Sequence, residues 1–411
     1  MLYGVILAAG NSSRFNGIRH KSLYPMWGKE IIKYNIDLLK KYTDKIYVII
    51  KENQKEEFEK VLTNVNYIFQ DEPKGTADAF HCFLKVIQEE GTALVCNGDT
   101  IMLEDFIPKF LLNYTSNNSK ASLLALSTTS PGSAIIKSNH NFYIDETNKN
   151  HILKNSGYYL LDTKKSKEVM NKIPLISNEF YITKIFDYID EKSVYEYDQS
   201  NHYFSFNTKE EYFNATNVIQ KEIQSKLLKN NVFLLGNCQI DFTSKIESNT
   251  TLINSSIRGK TIIKENVLID NSIIENSIIE KDVHVGPFSH IRDNCHIKQN
   301  VYIGNYVEMK NTIIEEKTKI KHQSLLNDCE IGKYVNIGAG TVSANYDGKE
   351  KHKTIIKDQV FLGCNSTLVA PLVIEKNALI AAGSTITENV SPSTLAIARN
   401  KQVNKQKKMN I

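Results

Sequence analysis

The sequence offers little from which to build a disulfide framework, a zinc site or a membrane span. Its six cysteines (Cys82, Cys96, Cys238, Cys295, Cys329, Cys364) are scattered, with no C-x-x-C pair and no His/Cys ligand spacing. A reducing compartment is the natural expectation. No long apolar run occurs, and the N-terminal Val5-Ile6-Leu7-Ala8-Ala9 turns polar by Asn11. That is too short for a signal-peptide core or a bilayer-spanning helix, so a cytoplasmic protein with no membrane partner is expected. An excess of one charge is missing too: 50 basic residues stand against 46 acidic ones, a net of +4, which predicts no nucleic-acid partner. The one basic cluster, at 401–408, reads as a solvated tail. The motifs G-x-x-x-x-G-K and G-x-G-x-x-G are both absent, which excludes a P-loop and a dinucleotide fingerprint.

What is present falls into two grammars, and 411 residues are more than one ordinary core holds. Up to about residue 207 short apolar runs alternate with amphipathic stretches. Residues 4–9, 45–50, 66–69 and 93–96 read as buried strands, and 29–41, 55–61 and 77–90 as helices between them. Such β-α-β alternation predicts a mostly parallel, Rossmann-like sheet with helices on both faces over 1–207. Tyr212, Phe213, Thr216, Ile219, Ile223 and Leu227 lie close to a three-four stripe and predict a connecting helix in a linker at 208–233.

From about Leu234 the apolar period becomes six. Val267, Ile273, Ile279, Val285, Ile291, Ile297 and Ile303 keep it, and Ile331 and Ile337 resume it. Ile356, Leu362, Leu368, Ile374, Ile380 and Ile386 carry it onward. Six matches neither the 3.6 of a helix nor the 2 of a half-buried strand. It fits a coil of three flat faces with one aliphatic residue turned inward from each, a left-handed parallel β-helix over 234–400, with a basic tail at 401–411. Gly286, Gly304, Gly332 and Gly363 suit the tight corners. At 341–353 the rhythm breaks, and Ser343-Ala344-Asn345-Tyr346-Asp347-Gly348 with a lysine-rich stretch predicts an extruded, functional loop.

In the first half, Leu7-Ala8-Ala9-Gly10-Asn11-Ser12-Ser13-Arg14-Phe15 follows the first strand, with Lys21 beyond. Small residues let backbone N–H groups approach phosphates, and Arg14 and Lys21 can neutralise them from the flank. An ordinary strand–loop–helix turn with surface cations explains the stretch equally well. It resembles, however, the nucleotidyltransferase signature of the sugar-nucleotide pyrophosphorylases. Two more of their marks follow, Gln70-Asp71-Glu72-Pro73-Lys74-Gly75-Thr76 and Asn97-Gly98-Asp99. The resemblance implies that Leu7, Ala8, Ala9, Gly10, Lys21, Gln70, Gly75 and Thr76 bind the nucleotide, Gln70 and Gly75-Thr76 reading its base. It gives Arg14 and Lys21 catalytic roles and assigns the sugar phosphate to Asn155, Glu179, Thr183 and Asn207. Asp99 and Asn207 would hold Mg²⁺, which favours oxygen donors with positions left open for water and phosphate. Two departures stand out. Ser12-Ser13-Arg14 replaces the family's Gly-Thr-Arg, and 133–150 lacks its Gly-Tyr-Gly and glutamate contacts.

The second half resembles the GlmU family, bifunctional glucosamine-1-phosphate N-acetyltransferases and N-acetylglucosamine-1-phosphate uridyltransferases. The resemblance rests on Arg292, Gly304-Asn305-Tyr306-Val307-Glu308-Met309-Lys310, Lys321-His322 and Val335-Asn336-Ile337-Gly338-Ala339-Gly340-Thr341. Asn345-Tyr346-Asp347-Gly348, Leu368-Val369-Ala370-Pro371, Ile380-Ala381-Ala382-Gly383-Ser384 and Leu395-Ala396-Ile397-Ala398-Arg399 add to it. It implies that His322 is the base for the substrate amine and that Arg292, Lys310 and Lys351 clamp the sugar phosphate with Asn336 on the sugar. Asn345, Tyr346, Cys364, Ala382 and Arg399 would line the acetyl-CoA groove. Leu325 replaces a sugar-contacting tyrosine and Cys364 a serine. Expected substrates are glucosamine 1-phosphate, acetyl-CoA, UTP and N-acetylglucosamine 1-phosphate, the product feeding cell-wall or lipid synthesis, and the expected assembly is a homotrimer. Three alternatives stay open: an acetyltransferase with a degenerate or differently specific first domain, a hexose-1-phosphate pyrophosphorylase whose coil only oligomerises, and a regulatory sugar-nucleotide sensor.

Overall fold

The structure, a computed structural model, describes residues 1–12, 14–15, 17–128, 133–138, 141–146, 152–198 and 202–405. Ser13, much of the 133–150 stretch and the tail beyond 405 lie outside the described residues. The chain divides into two compact units, Met1–Thr216 and Asn217–Ile411.

In the first unit, Leu2–Leu7 is the middle of a parallel set, paired with Lys45–Ile50 on one side and Thr92–Asn97 on the other. Asn66–Phe69 extends it beyond Lys45–Ile50. Val5 faces one apolar cluster and Ile6 the other, both fully buried; a strand covered on both faces must read as the near-continuous apolar run seen here. Leu153–Asp162 joins antiparallel to Thr92–Asn97 and starts a mixed half that includes Ala121–Ser127 and Lys192–Tyr197. The helices Ile31–Leu39, Thr76–Val86 and Ile107–Ser116 cover the sheet. The second is shorter than the pattern predicts because Ile87 turns extended and tucks into the core. The chain leaves Leu2–Leu7 first toward one side and returns on the other, so a crevice opens at the C-terminal ends of Leu2–Leu7 and Thr92–Asn97.

The second unit is a parallel coil in which each strand pairs in register with its equivalent one turn on, as in Leu252↔Ile269 and Ile269↔Val285. The helix Lys209–Lys229 precedes it and packs Ile223 and Leu227 against the coil's core. Ile263, Ile269, Ile274, Ile279, Val285, Ile291, Ile297 and Ile303 face inward, all at 0% exposure. Each such side chain contributes about 2–3 kcal/mol of burial. Ile273, expected inside, is half-exposed, and its neighbour Ile274 takes the inward place. Sides of five residues interrupt the sixes here and again at Ile314, which is why the rhythm faded between Ile303 and Ile331 while Met309, Ile314, Ile320 and Leu326 kept the core filled.

The corners also differ from expectation. Left-handed backbone falls mainly on asparagine and aspartate, including Asn254, Asn271, Asn294, Asn311 and Asp328, whose short polar side chains tolerate that conformation. Of the four glycines expected there only Gly286 has positive φ. Gly304 is needed for a different reason: a Cβ on it would lie 1.8 Å from the Lys321 carbonyl oxygen of the next coil.

Candidate active sites

The crevice of the first unit holds a cleft of about 640 Å³. Leu7, Ala8, Ala9, Gly10, Arg14, Lys21, Gln70, Gly75, Thr76, Asp99, Glu179 and Asn207 all line it. Tyr203–Ser205 pairs with Thr100–Met102, and the Phe206 N–H donates to the Asp99 carbonyl at 3.3 Å, which brings Asn207 beside Asp99. The Lys21 ammonium sits between the two, ion-paired with the Asp99 carboxylate and 3.4 Å from Asn207 Oδ1. Arg14 donates to the same Asn207 oxygen at 3.1 Å. Two hard oxygen donors thus converge on one cation, a donor set that fits Mg²⁺. Among the described residues no cluster of three His, Cys, Asp or Glu side chains competes for a metal.

The loop that follows Leu2–Leu7 is braced by His20, a lining residue outside the motifs. Its Nε2 lies 3.0 Å from the Gly10 carbonyl oxygen, and its Nδ1 accepts from the Ser22 N–H at 3.3 Å. Burial pushes the imidazole down to about 4, against the weaker pull of the Gly10 carbonyl and Asp99. At the far end Phe180 clasps the loop between Gln70 and Thr76: its N–H donates to the Lys74 carbonyl at 2.7 Å, and its carbonyl accepts from the Ala77 N–H at 2.8 Å. Gly75, at φ 108°, leaves Phe180 room that a Cβ would fill at 2.5 Å.

Asn155 and Thr183 do not line the cleft. Asn155 donates to the Tyr159 hydroxyl at 2.7 Å, and buried Thr183 bonds the Glu146 carboxylate. Glu146 lies in the stretch where no family contact was legible. Its partners, Ser133 thirteen residues before it and Thr183 thirty-seven after, mark it.

On the coil, Tyr302–Lys310 and Lys319–Asn327 each run unbroken around one corner, pairing Asn305 with His322. His322 is exposed there, its Nδ1 3.2 Å from Asn305 Oδ1. The same edge continues through successive coils: Gly340 N–H donates to Gln323, Asn365 N–H to Ala339 and Gly383 N–H to Cys364, at 2.6–2.8 Å. Arg399 closes it with a 2.6 Å bond to the Ala382 carbonyl. His322, Cys364, Ala382 and Arg399 therefore stand along one edge.

Arg292 and Lys310 lie at the next corner, stacked in register with each other and with Asn327. Asp293 bonds Lys310 at 2.9 Å, and Glu308 bonds Arg292 at 3.0 Å. Lys310 and then Arg292 hold the Asp293 carboxyl below its usual range. Asn345 anchors to Asp328 at this edge and opens the extruded loop, a hairpin in which Tyr346 bridges Lys351. Asp347 organises that hairpin by accepting from two backbone N–H groups and from His352, which holds its carboxyl well below the ordinary range. Asn336 is elsewhere, on the face before the His322 corner and paired with Lys319 and Phe361.

Family models match both halves: a MobA-like NTP transferase domain over residues 4–135 and a GMPPB C-terminal domain over 273–411. "Bifunctional protein GlmU" of Listeria innocua serovar 6a is 33% identical over 442 residues, covering 98% of this chain and 97% of that protein. The protein of the same name from Thermoanaerobacter pseudethanolicus is 33% identical over 443 residues with the same coverage. The chain belongs to the GlmU family.

A GlmU chain is bifunctional, and here the two candidate sites stand in separate units, each with its own core. The GlmU match spans the first half as well as the second. Among the described residues no helix is long and apolar enough to cross a membrane.

Proposed function

We propose that this GlmU chain makes UDP-N-acetylglucosamine in two steps. Its coil acetylates glucosamine 1-phosphate from acetyl-CoA, and its first unit transfers uridylyl from UTP to the N-acetylated product, releasing pyrophosphate. The observation that carries this reading is the match to GlmU relatives over 98% of the chain.

In the acetyl transfer the substrate amine attacks the thioester carbonyl carbon. A C–N bond forms, the C–S bond breaks and CoA leaves as its thiolate, to be protonated in turn. His322 takes the proton released by the amine. With Asn305 Oδ1 beside Nδ1, the proton is held on Nδ1 and the Nε2 lone pair is left to accept. Arg292, Lys310 and Lys351 meet the phosphate, with Asn336 on the sugar and Asn345, Tyr346, Cys364, Ala382 and Arg399 along the donor. Leu325, in register with Glu308 on the face between the two edges, offers no hydrogen bond there.

In the uridylyl transfer a phosphate oxygen of the sugar attacks the α-phosphorus, and the bond to the pyrophosphate breaks. Asp99 and Asn207 would hold Mg²⁺, which supplies charge neutralisation for the triphosphate when bound. Arg14 and Lys21, bonded to those same oxygens, are the chain's own cations for it. Gln70, Gly75 and Thr76 read the base, and Glu179 leads the sugar-binding stretch, with Thr183 and Asn155 behind it.

A cytoplasmic homotrimer is part of this reading, and two features support assembly with further copies. The acetyl-transfer residues divide between two edges and a further face of one coil, so a neighbouring copy is needed to complete the set. The face that carries Asn336 also exposes Tyr302, Phe361, Leu379 and Leu395, each 40–56% accessible, an apolar ladder suited to burial against a second copy. Mass spectrometry of the products from glucosamine 1-phosphate, acetyl-CoA, UTP and Mg²⁺ tests the whole. Asp99→Ala should stop at N-acetylglucosamine 1-phosphate; an Asp99→Ala chain that still releases pyrophosphate, or a wild type that yields no acetylated sugar, refutes it.

A further inference from the structure

The amide of Gln70 is held in one orientation from behind. Gln70 is 2% exposed, so little of it but the face toward the cleft is available. Its Nε2 donates to Asp78 Oδ2 at 2.6 Å and to the Gly75 carbonyl at 3.3 Å. A carboxylate and a peptide carbonyl only accept, so both amide hydrogens are consumed and the amide cannot turn over without setting acceptor against acceptor. No donor among the described residues bonds Oε1, which is left for the ligand. Asp78 sits in the first turn of Thr76–Val86, where the helix N-terminus favours its negative charge.

We infer that Asp78 is a specificity-determining positioning residue, which fixes Gln70 as an acceptor and so selects a base that presents an N–H there. Resting on the proposed base-reading role of Gln70, the inference names the chemistry selected. Uracil offers an imide N–H on that edge, flanked by two acceptors. Cytosine places a bare ring nitrogen at the same position, which would oppose Oε1 lone pair to lone pair.

Equilibrium titration of the full chain with UTP and with CTP, in Mg²⁺, reads this without turnover. One hydrogen bond gained against one opposed predicts wild-type discrimination of about ten-fold or more in favour of UTP. Asp78→Asn keeps the shape but can also donate, so only the longer contact to the Gly75 carbonyl still opposes a turned Gln70 amide and the gap should close to within about three-fold. Asp78→Glu, still acceptor-only, should preserve it. A wild type that binds both nucleotides alike overturns the proposal. So does an Asp78→Asn chain that keeps the full gap or loses both nucleotides equally. Gln70→Ala separates the layers: if it leaves the gap intact, the base-reading role of Gln70 itself fails, whereas a gap lost in Gln70→Ala but kept in Asp78→Asn removes only Asp78.

Discussion

Acidification should loosen the first unit through His20 before it touches the coil. The imidazole is 7% exposed and is used in both directions, Nε2 toward the Gly10 carbonyl and Nδ1 accepting from Ser22. Burial disfavours the charged imidazolium, so the folded state resists a second proton down to about 4, against 6.5 for a free imidazole, and on Nδ1 that proton would also face the Ser22 N–H. Because the folded value is lowered, the unfolded chain takes up the proton first. The stabilisation is complete above about pH 6.5, falls as pH drops through the window, and is gone below about pH 4. Across the whole window this amounts to about 3 kcal/mol, of which about 2 kcal/mol is lost by pH 5. The only tryptophan, Trp27, lies in this unit and bonds the Thr216 carbonyl at 2.7 Å, so its fluorescence follows unfolding of this unit. Urea titrations at pH 7.5 and 5 should show wild type losing about 2 kcal/mol more than His20→Gln, which cannot titrate. Parallel losses in the two proteins would refute the reasoning.

Three further outcomes are expected. His322→Ala should lower kcat for acetyl transfer by about 10²–10⁴-fold with KM nearly unchanged, whereas Lys310→Ala should raise KM for the sugar phosphate; steady-state kinetics from pH 6 to 9 distinguish them. Gly304→Ala, whose Cβ would meet backbone at 1.8 Å, should cost about 1–3 kcal/mol or more of coil stability. It should also disturb the neighbouring His322 edge, so acetyl transfer falls while pyrophosphate release persists in paired assays. Analytical ultracentrifugation at micromolar concentration should find trimer, and a chain that stays monomeric there would dismiss the shared acetyl-transfer site.

The legible parts were those governed by short-range periodicity. A repeat of six announced the coil, and alternation announced the parallel sheet. Ile273 was misplaced because a period cannot reveal a side shortened by one residue, and the inward position passes silently to Ile274. Gly304 was read as a corner when its reason is the carbonyl of a coil seventeen residues on, Lys321, which no local pattern contains. At the cleft, most motif residues do face one space, since the segments that carry them follow the C-terminal ends of neighbouring strands, Leu2–Leu7, Asn66–Phe69 and Thr92–Asn97. Glu146, His20 and Asp78 escaped notice because what each does depends on a partner's position. Glu146 matters through Thr183, His20 through Gly10 and Ser22, and Asp78 through the amide of Gln70.

Each turn of the coil bonds only to the turns beside it, so its resistance to opening is set by neighbours rather than by a shared centre. His322 lies on the turn of Lys319–Asn327, with five strands of its face before it and four after. Arg399 follows Leu395–Ala396, which among the described strands pairs only with Leu379–Ile380. Fraying that starts at this outer turn would release Arg399, proposed on the donor side, long before it reached His322, the proposed base. Amide exchange should accordingly rise from Lys319–Asn327 toward Leu395–Ala396, so that heat or mild denaturant weakens the hold on acetyl-CoA while the chemistry around His322 is still intact.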